Sequence, residues 1–151
     1  GMNLRAGMLV AGLALPCVAQ AGGLPQAVQC DTAGTQAQLN ACAGSQFRKA
    51  DAELNKTWKA IVAEYADQPD FLKKLKVAQR LWIRFRDASV EARYPAKNPR
   101  SEYGSVYPMC VTGYKAELTR QRTEQLRQWL DGVPEGEVCA GSVKRSDLMT
   151  H

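Results

Sequence analysis

The chain has 151 residues, 20 Lys and Arg against 15 Asp and Glu, five cysteines and one histidine. The length suits one domain, and 45% hydrophobic with 23% charged residues excludes both a disordered tail and a membrane protein. The lone histidine, His151, stands at the C-terminal end, so no His-containing triad, His general base or His-based metal site is expected inside the fold.

In residues 2–21, Arg5 gives a positive start, Ala6 to Val18 is an almost unbroken apolar run, and Ala19-Gln20-Ala21 is an A-x-A cleavage box. The run is too short to span a bilayer, so the segment reads as an export signal cleaved near Ala21, and the protein as periplasmic or secreted. Cleavage removes Arg5 and Cys17, leaving 19 basic and 15 acidic groups with Cys30, Cys42, Cys110 and Cys139. An even cysteine count in an oxidising compartment implies two disulfides. The thiols are scattered and form no C-x-x-C pair, which argues against zinc or another metal. Four cysteines allow three pairings, and spacing does not choose among them.

From Thr35 to Tyr65 apolar residues recur at Leu39, Cys42, Phe47, Ala50, Leu54, Trp58, Ile61 and Tyr65, mostly three or four apart. That period predicts a long first helix, capped by Thr35 and stopped by Pro69. A second is predicted from Asp70 to Arg93, with Asp70 as its cap, Leu72, Leu75, Ala78, Trp82, Phe85, Ser89 and Ala92 on one face, and Pro95 at its end. The short link between them makes the two helices antiparallel neighbours. Residues 94–109 hold three prolines and three tyrosines and read as an ordered, irregular loop. A third helix follows from about Cys110 to Leu130, ended by Gly132 and Pro134. The expected fold is all-α: an antiparallel bundle of three main helices, with a long ordered loop between helices two and three, stapled by disulfides. The helical domain covers 30–139, and 140–151 reads as a flexible C-terminal tail tied down only through Cys139.

Three charged residues stand on apolar faces. Arg122 lies between Leu118 and Leu126, Arg86 four residues after Trp82, and Asp51 four after Phe47. Unpaired buried charge is costly, so a structural network is expected in which Asp51 or Asp87 accepts hydrogen bonds from Arg86 or Arg122. The rival, an anion-binding site, is the less economical account. Carboxylates such as Glu53, Glu64, Asp67 and Asp70 occupy ordinary solvated positions, the hydroxyl residues lack a His base, and no Gly-rich phosphate loop is present. Acids interleave the bases along every helix, unlike a nucleic-acid stripe. The reading is a binding protein without catalysis or cofactor. Its candidate contact residues are Arg100, Tyr103, Ser105 and Tyr107, because Tyr and Arg favour interfaces. The bland alternative is that the tyrosines only close the open end of the bundle.

Five strings occur in order: Thr35-Gln-Ala-Gln-Leu-Asn-Ala-Cys-Ala43, Ala50-Asp-Ala-Glu-Leu-Asn-Lys56, Ala78-Gln-Arg-Leu-Trp-Ile-Arg-Phe-Arg-Asp-Ala88, Gly104-Ser-Val-Tyr-Pro-Met109 and Glu117-Leu-Thr-Arg-Gln-Arg-Thr-Glu-Gln-Leu126. Together they resemble the LprI lysozyme-inhibitor family of exported bacterial proteins, over about Cys30 to Trp129. The resemblance implies an exported, disulfide-bonded helical domain and, for some members, inhibition of lysozyme by a protein that performs no chemistry. Many relatives carry a cysteine shortly after the Arg-Asp-Ala string, where Val90 stands here, and another near Tyr114. Both are absent together, so one bridge of the relatives is missing and Cys110 with Cys139 is expected to supply a different one. The c-type lysozymes are strongly cationic, so a basic inhibitor gains no long-range attraction and must rely on local contacts in the cleft. Lys97, Arg100 and Glu102 leave the 94–109 loop net basic. That balance favours the second reading, an envelope-associated module that contacts anionic peptidoglycan, lipid or a partner protein.

Overall fold

A computed structural model describes residue 30 and residues 34–148. The expected export signal lies outside the described residues. Four α-helices follow one another: α1 (Gln36–Glu64), α2 (Pro69–Arg93), α3 (Pro99–Tyr103) and α4 (Tyr107–Asp131), with a 3-10 turn at Ser146–Leu148. Among the described residues no strand forms beyond an isolated bridge between Val133 and Arg145.

Thr35 starts α1 through a capping box. Its hydroxyl accepts from the Gln38 N–H at 3.2 Å, and the Gln38 side chain accepts from the Thr35 N–H at 2.8 Å. Three prolines were expected as breaks or loop residues, and all three open helices instead. Pro69, Pro99 and Pro108 each occupy the first turn of α2, α3 and α4. A first-turn N–H has no intrahelical partner to lose, and proline's fixed φ already suits a helix. Hence α1 ends at Glu64, five residues before Pro69, α4 begins at Tyr107 rather than Cys110, and a short helix interrupts the supposed loop. Asp70 makes no capping hydrogen bond and stands instead as an acidic residue in the first turn of α2.

The seam between α1 and α4 is the most extensive in the molecule. It is built largely from small side chains: Ala43, Ala50, Leu54, Thr57 and Ile61 from α1 meet Ala116, Thr119, Thr123 and Leu126 from α4, all buried. Their three-four spacing is that of helices packing at a shallow angle, and small residues allow close axes. The two helices run parallel: Phe47 lies beside Lys115 near their starts, and Tyr65 bonds to Trp129 near their ends. The α2 helix runs against both, bringing Phe71 to Tyr65 and Trp129, and Arg86 to Phe47. Leu75 joins Leu54, Ile61, Tyr65 and Leu126 in the core, ringed by Trp58, Phe71, Leu72, Trp82 and Trp129.

One disulfide joins Cys30 to Cys42, with Cα atoms 5.8 Å apart, and fastens the segment before α1 to its second turn. Cys110 and Cys139 are free thiols, so the expected second bridge does not form. Cys110 sits in the first turn of α4, while Cys139 follows its far end. Twenty-one helical residues separate those ends by about 30 Å, whereas a disulfide needs Cα atoms about 6 Å apart.

The C-terminal segment is not held by Cys139, which is exposed. Residues after it return to the bundle: the Val133 N–H donates to the Lys144 carbonyl at 3.0 Å, and the Ser146 N–H to the Val133 carbonyl at 2.9 Å. Lys144 Nζ donates to the Glu64 carbonyl at 2.7 Å and pairs with Asp67 at 3.3 Å. Through residue 148 the supposed flexible tail is therefore a docked segment.

Candidate partner-binding site

Residues 94–107 form an elbow joining the end of α2 to the start of α4. Pro95 ends α2, Pro99 restarts a single helical turn, and Gly104 at φ 78° turns the chain into α4. This geometry gathers three rings. Tyr94 meets Tyr103 edge-on at 5.4 Å between centroids and Tyr107 at 5.7 Å, while Tyr103 and Tyr107 stack at 5.9 Å. The Tyr103 hydroxyl accepts from the Ala96 N–H at 3.3 Å. Beside it lies a shallow recess of about 450 Å³, lined by residues 95–98 and 101–103.

Of the four residues expected to contact a partner, Tyr103 and Tyr107 come together in this cluster, half-buried, and Arg100 and Ser105 lie exposed on the same segment. The rings thus order the elbow as well as presenting their free edges. Tyr94 completes the cluster and escaped the sequence reading, where it counted only as the first residue of the loop. At the base of the elbow the Arg93 guanidinium stands over the Tyr114 ring at 4.4 Å.

The expected polar network exists between α2 and α4, and the Arg86–Asp87 pair is among the foreseen partners, while Arg122 and Asp51 are placed differently. Buried Arg86 donates from Nε to Asp87 Oδ1 at 3.0 Å and from Nη1 to Thr119 Oγ1 at 3.4 Å. Its guanidinium also faces the rings of Trp82 and Phe47. Lys115 of α4 approaches the same Asp87 oxygen at 3.5 Å. Burial alone would raise the Asp87 carboxyl, but the hydrogen bond and charge of Arg86, helped by Lys115, outweigh it and hold the carboxyl below its ordinary range. Among the described residues Arg122 finds no carboxylate. Its Nε donates to Gln79 Oε1 at 2.9 Å and its Nη1 to Gln125 Oε1 at 3.2 Å, and burial pushes its pKa down. Asp51 lies outside the network, accepting only a 3.5 Å bond from Asn55 on its own helix. Gln79 and Thr119 were the missed members. Both sit on buried faces, where an amide or hydroxyl satisfies a guanidinium without a second charge to desolvate.

These groups satisfy one another within the fold, whereas the elbow leaves Arg100 and Ser105 exposed beside its tyrosine rings. A family model for the lysozyme inhibitor LprI matches residues 28–126, from ahead of Cys30 to the last buried leucine of α4. A relative, an uncharacterized protein of Rhizobium meliloti (strain 1021), is 38% identical over 142 aligned residues, which cover 86% of this chain and 99% of the relative. No solved structure matches. The family match takes in the disulfide, the α1–α4 seam, the α2–α4 network and the whole elbow, and the chain belongs to the LprI lysozyme-inhibitor family.

Proposed function

We propose that the protein is an exported, non-catalytic inhibitor that binds lysozyme and occludes its substrate cleft through the elbow between α2 and α4. The family match over residues 28–126 carries this reading. The elbow supports it physically. Its tyrosine rings are already packed against one another, so little side-chain freedom is lost on binding. Arg100 and Ser105 stand exposed beside them to hydrogen-bond a polar cleft. Lys97, Arg100 and Glu102 give the elbow a net positive charge, so long-range steering toward a cationic lysozyme is repulsive, binding rests on local contacts, and added salt should speed association by screening the repulsion.

The test is the clearing of a bacterial cell-wall suspension by c-type and by g-type lysozyme in the presence of the oxidised protein. Inhibition of at least one enzyme is expected, and changing both Tyr103 and Tyr107 to Ala is expected to weaken it by about tenfold or more, with helical circular dichroism retained. Full clearing by both enzymes at a large molar excess would remove the reading. Undiminished inhibition by the double variant would move the contact away from the elbow.

A further inference from the structure

The outer face of α2 carries an apolar row that no other described residue covers. Val77, Leu81 and Phe85 recur every fourth residue and so share one side of the helix, where 54%, 58% and 67% of their surface is exposed. The opposite side, with Leu75, Gln79, Trp82 and Arg86, makes the contacts with α1 and α4. Cations accompany the row: Lys73, Lys74, Lys76, Arg80 and Arg84 are all exposed, and no acidic residue occurs between Asp70 and Asp87.

We propose that this face docks the protein on an anionic lipid bilayer, with α2 lying in the plane of the interface. An apolar row accompanied by Lys and Arg is the pattern of a helix that rests on a membrane. The row enters the acyl boundary while the long basic stems reach back to headgroup phosphates. Shape favours the same occupant. The row is a ridge on a helix, the 450 Å³ recess lies in the elbow instead, and a fluid surface accommodates a ridge that a rigid partner would need a matching groove to receive. A second copy fits poorly, because packing the row on itself brings five cations against five with no acid between Asp70 and Asp87 to pair them. No helix of the described residues is long and apolar enough to cross a membrane, so the contact is one of lying on the bilayer. The face is separate from the tyrosine elbow, so this inference and the lysozyme reading stand or fall independently.

The experiment is co-sedimentation of the protein, recovered from the periplasm of an expressing bacterium, with vesicles of phosphatidylethanolamine and phosphatidylglycerol, and with vesicles of phosphatidylcholine alone. Binding to the anionic vesicles, weakened by salt, and little to the zwitterionic ones is expected. L81S/F85S is expected to lower the partition coefficient by about tenfold or more, and R80E/R84E by at least about fivefold per cation, both with unchanged melting temperature. Every variant has the same N-terminal segment, so differences among them report α2 alone. Equal binding to both lipids, or undiminished binding by both variants, would overturn the proposal. So would a dimer in analytical ultracentrifugation that L81S/F85S abolishes without any vesicle binding, which would assign the row to a second copy. Capture by soluble polyglutamate without vesicle binding would assign it to an acidic polypeptide and equally overturn the bilayer.

Discussion

The Tyr65 hydroxyl donates to the Trp129 carbonyl at 2.8 Å and accepts from the Lys144 N–H at 2.9 Å. One fully buried side chain thereby ties the end of α1 to the end of α4 and to the docked segment. Tyr65→Phe keeps the ring but leaves a carbonyl and an N–H without partners. We expect a loss of about 1–3 kcal/mol, read as a lower urea midpoint with an unchanged slope. The burial of Tyr65 was visible as the last apolar residue of a helical period, whereas its hydroxyl partners were not, because Lys144 lies 79 residues away. Arg86 and Arg122 repeat the lesson. Periodicity placed both on apolar faces and so demanded compensation, but a helical period gives the face of a residue and not what stands opposite. Asp87 answered Arg86 as expected, with Thr119 beside it, whereas Gln79 answered Arg122 where a carboxylate was expected.

At the scale of elements, Gly132 ends α4 at φ 70° and lets the chain fold back. A Cβ there would stand 2.8 Å from the Lys144 carbonyl oxygen and 2.9 Å from the Ser146 nitrogen. Gly132→Ala meets both a forbidden φ and backbone it cannot displace, and is expected to cost about 1–3 kcal/mol. The measurement is amide hydrogen exchange: the Val133 and Ser146 amides should lose protection while amides along the α1–α4 seam keep theirs. Gly132 followed by Pro134 was a readable stop signal. The return of the chain was not, because it depends on atoms that α1 presents only after packing. The long helices were readable from period and caps, but their starts were misplaced where proline was taken as a stop. Ala50, Leu54, Ile61 and Leu126 of the α1–α4 seam were readable, but its small α4 members were not. Hydrophobicity favoured Leu118, while close parallel packing selects Ala116, Thr119 and Thr123, whose virtue is small size.

For the whole molecule, ionisation sets the pH range of stability. Asp87 is held below its ordinary pKa against the effect of burial, and Glu117 is held low first by its hydrogen bond from Arg120, with that residue's charge acting alongside. Depressed carboxylates contribute stability that is present above their unfolded values near pH 4 and is lost as pH falls through the lower folded values. Tyr65 is shifted the other way: burial raises it, against the backbone bond and charge of Lys144. Its contribution is complete below about pH 10 and is lost as pH rises through the folded value. Denaturant titrations across pH should therefore show a neutral plateau falling at both ends. Asp87→Asn should flatten the acid limb by at most about 1 kcal/mol, since nearly half of that side chain meets water, and Tyr65→Phe should flatten the alkaline limb. The sequence by itself determined an all-helical chain, its three long helices and the family to which it belongs, because periodicity, caps and motif order are local properties written every few residues. Only the tertiary structure decided that Cys110 and Cys139 stay apart, that the tail docks, and that α2 turns a basic, apolar face outward. Those outcomes depend on distances between segments remote in sequence, and packing alone sets such distances.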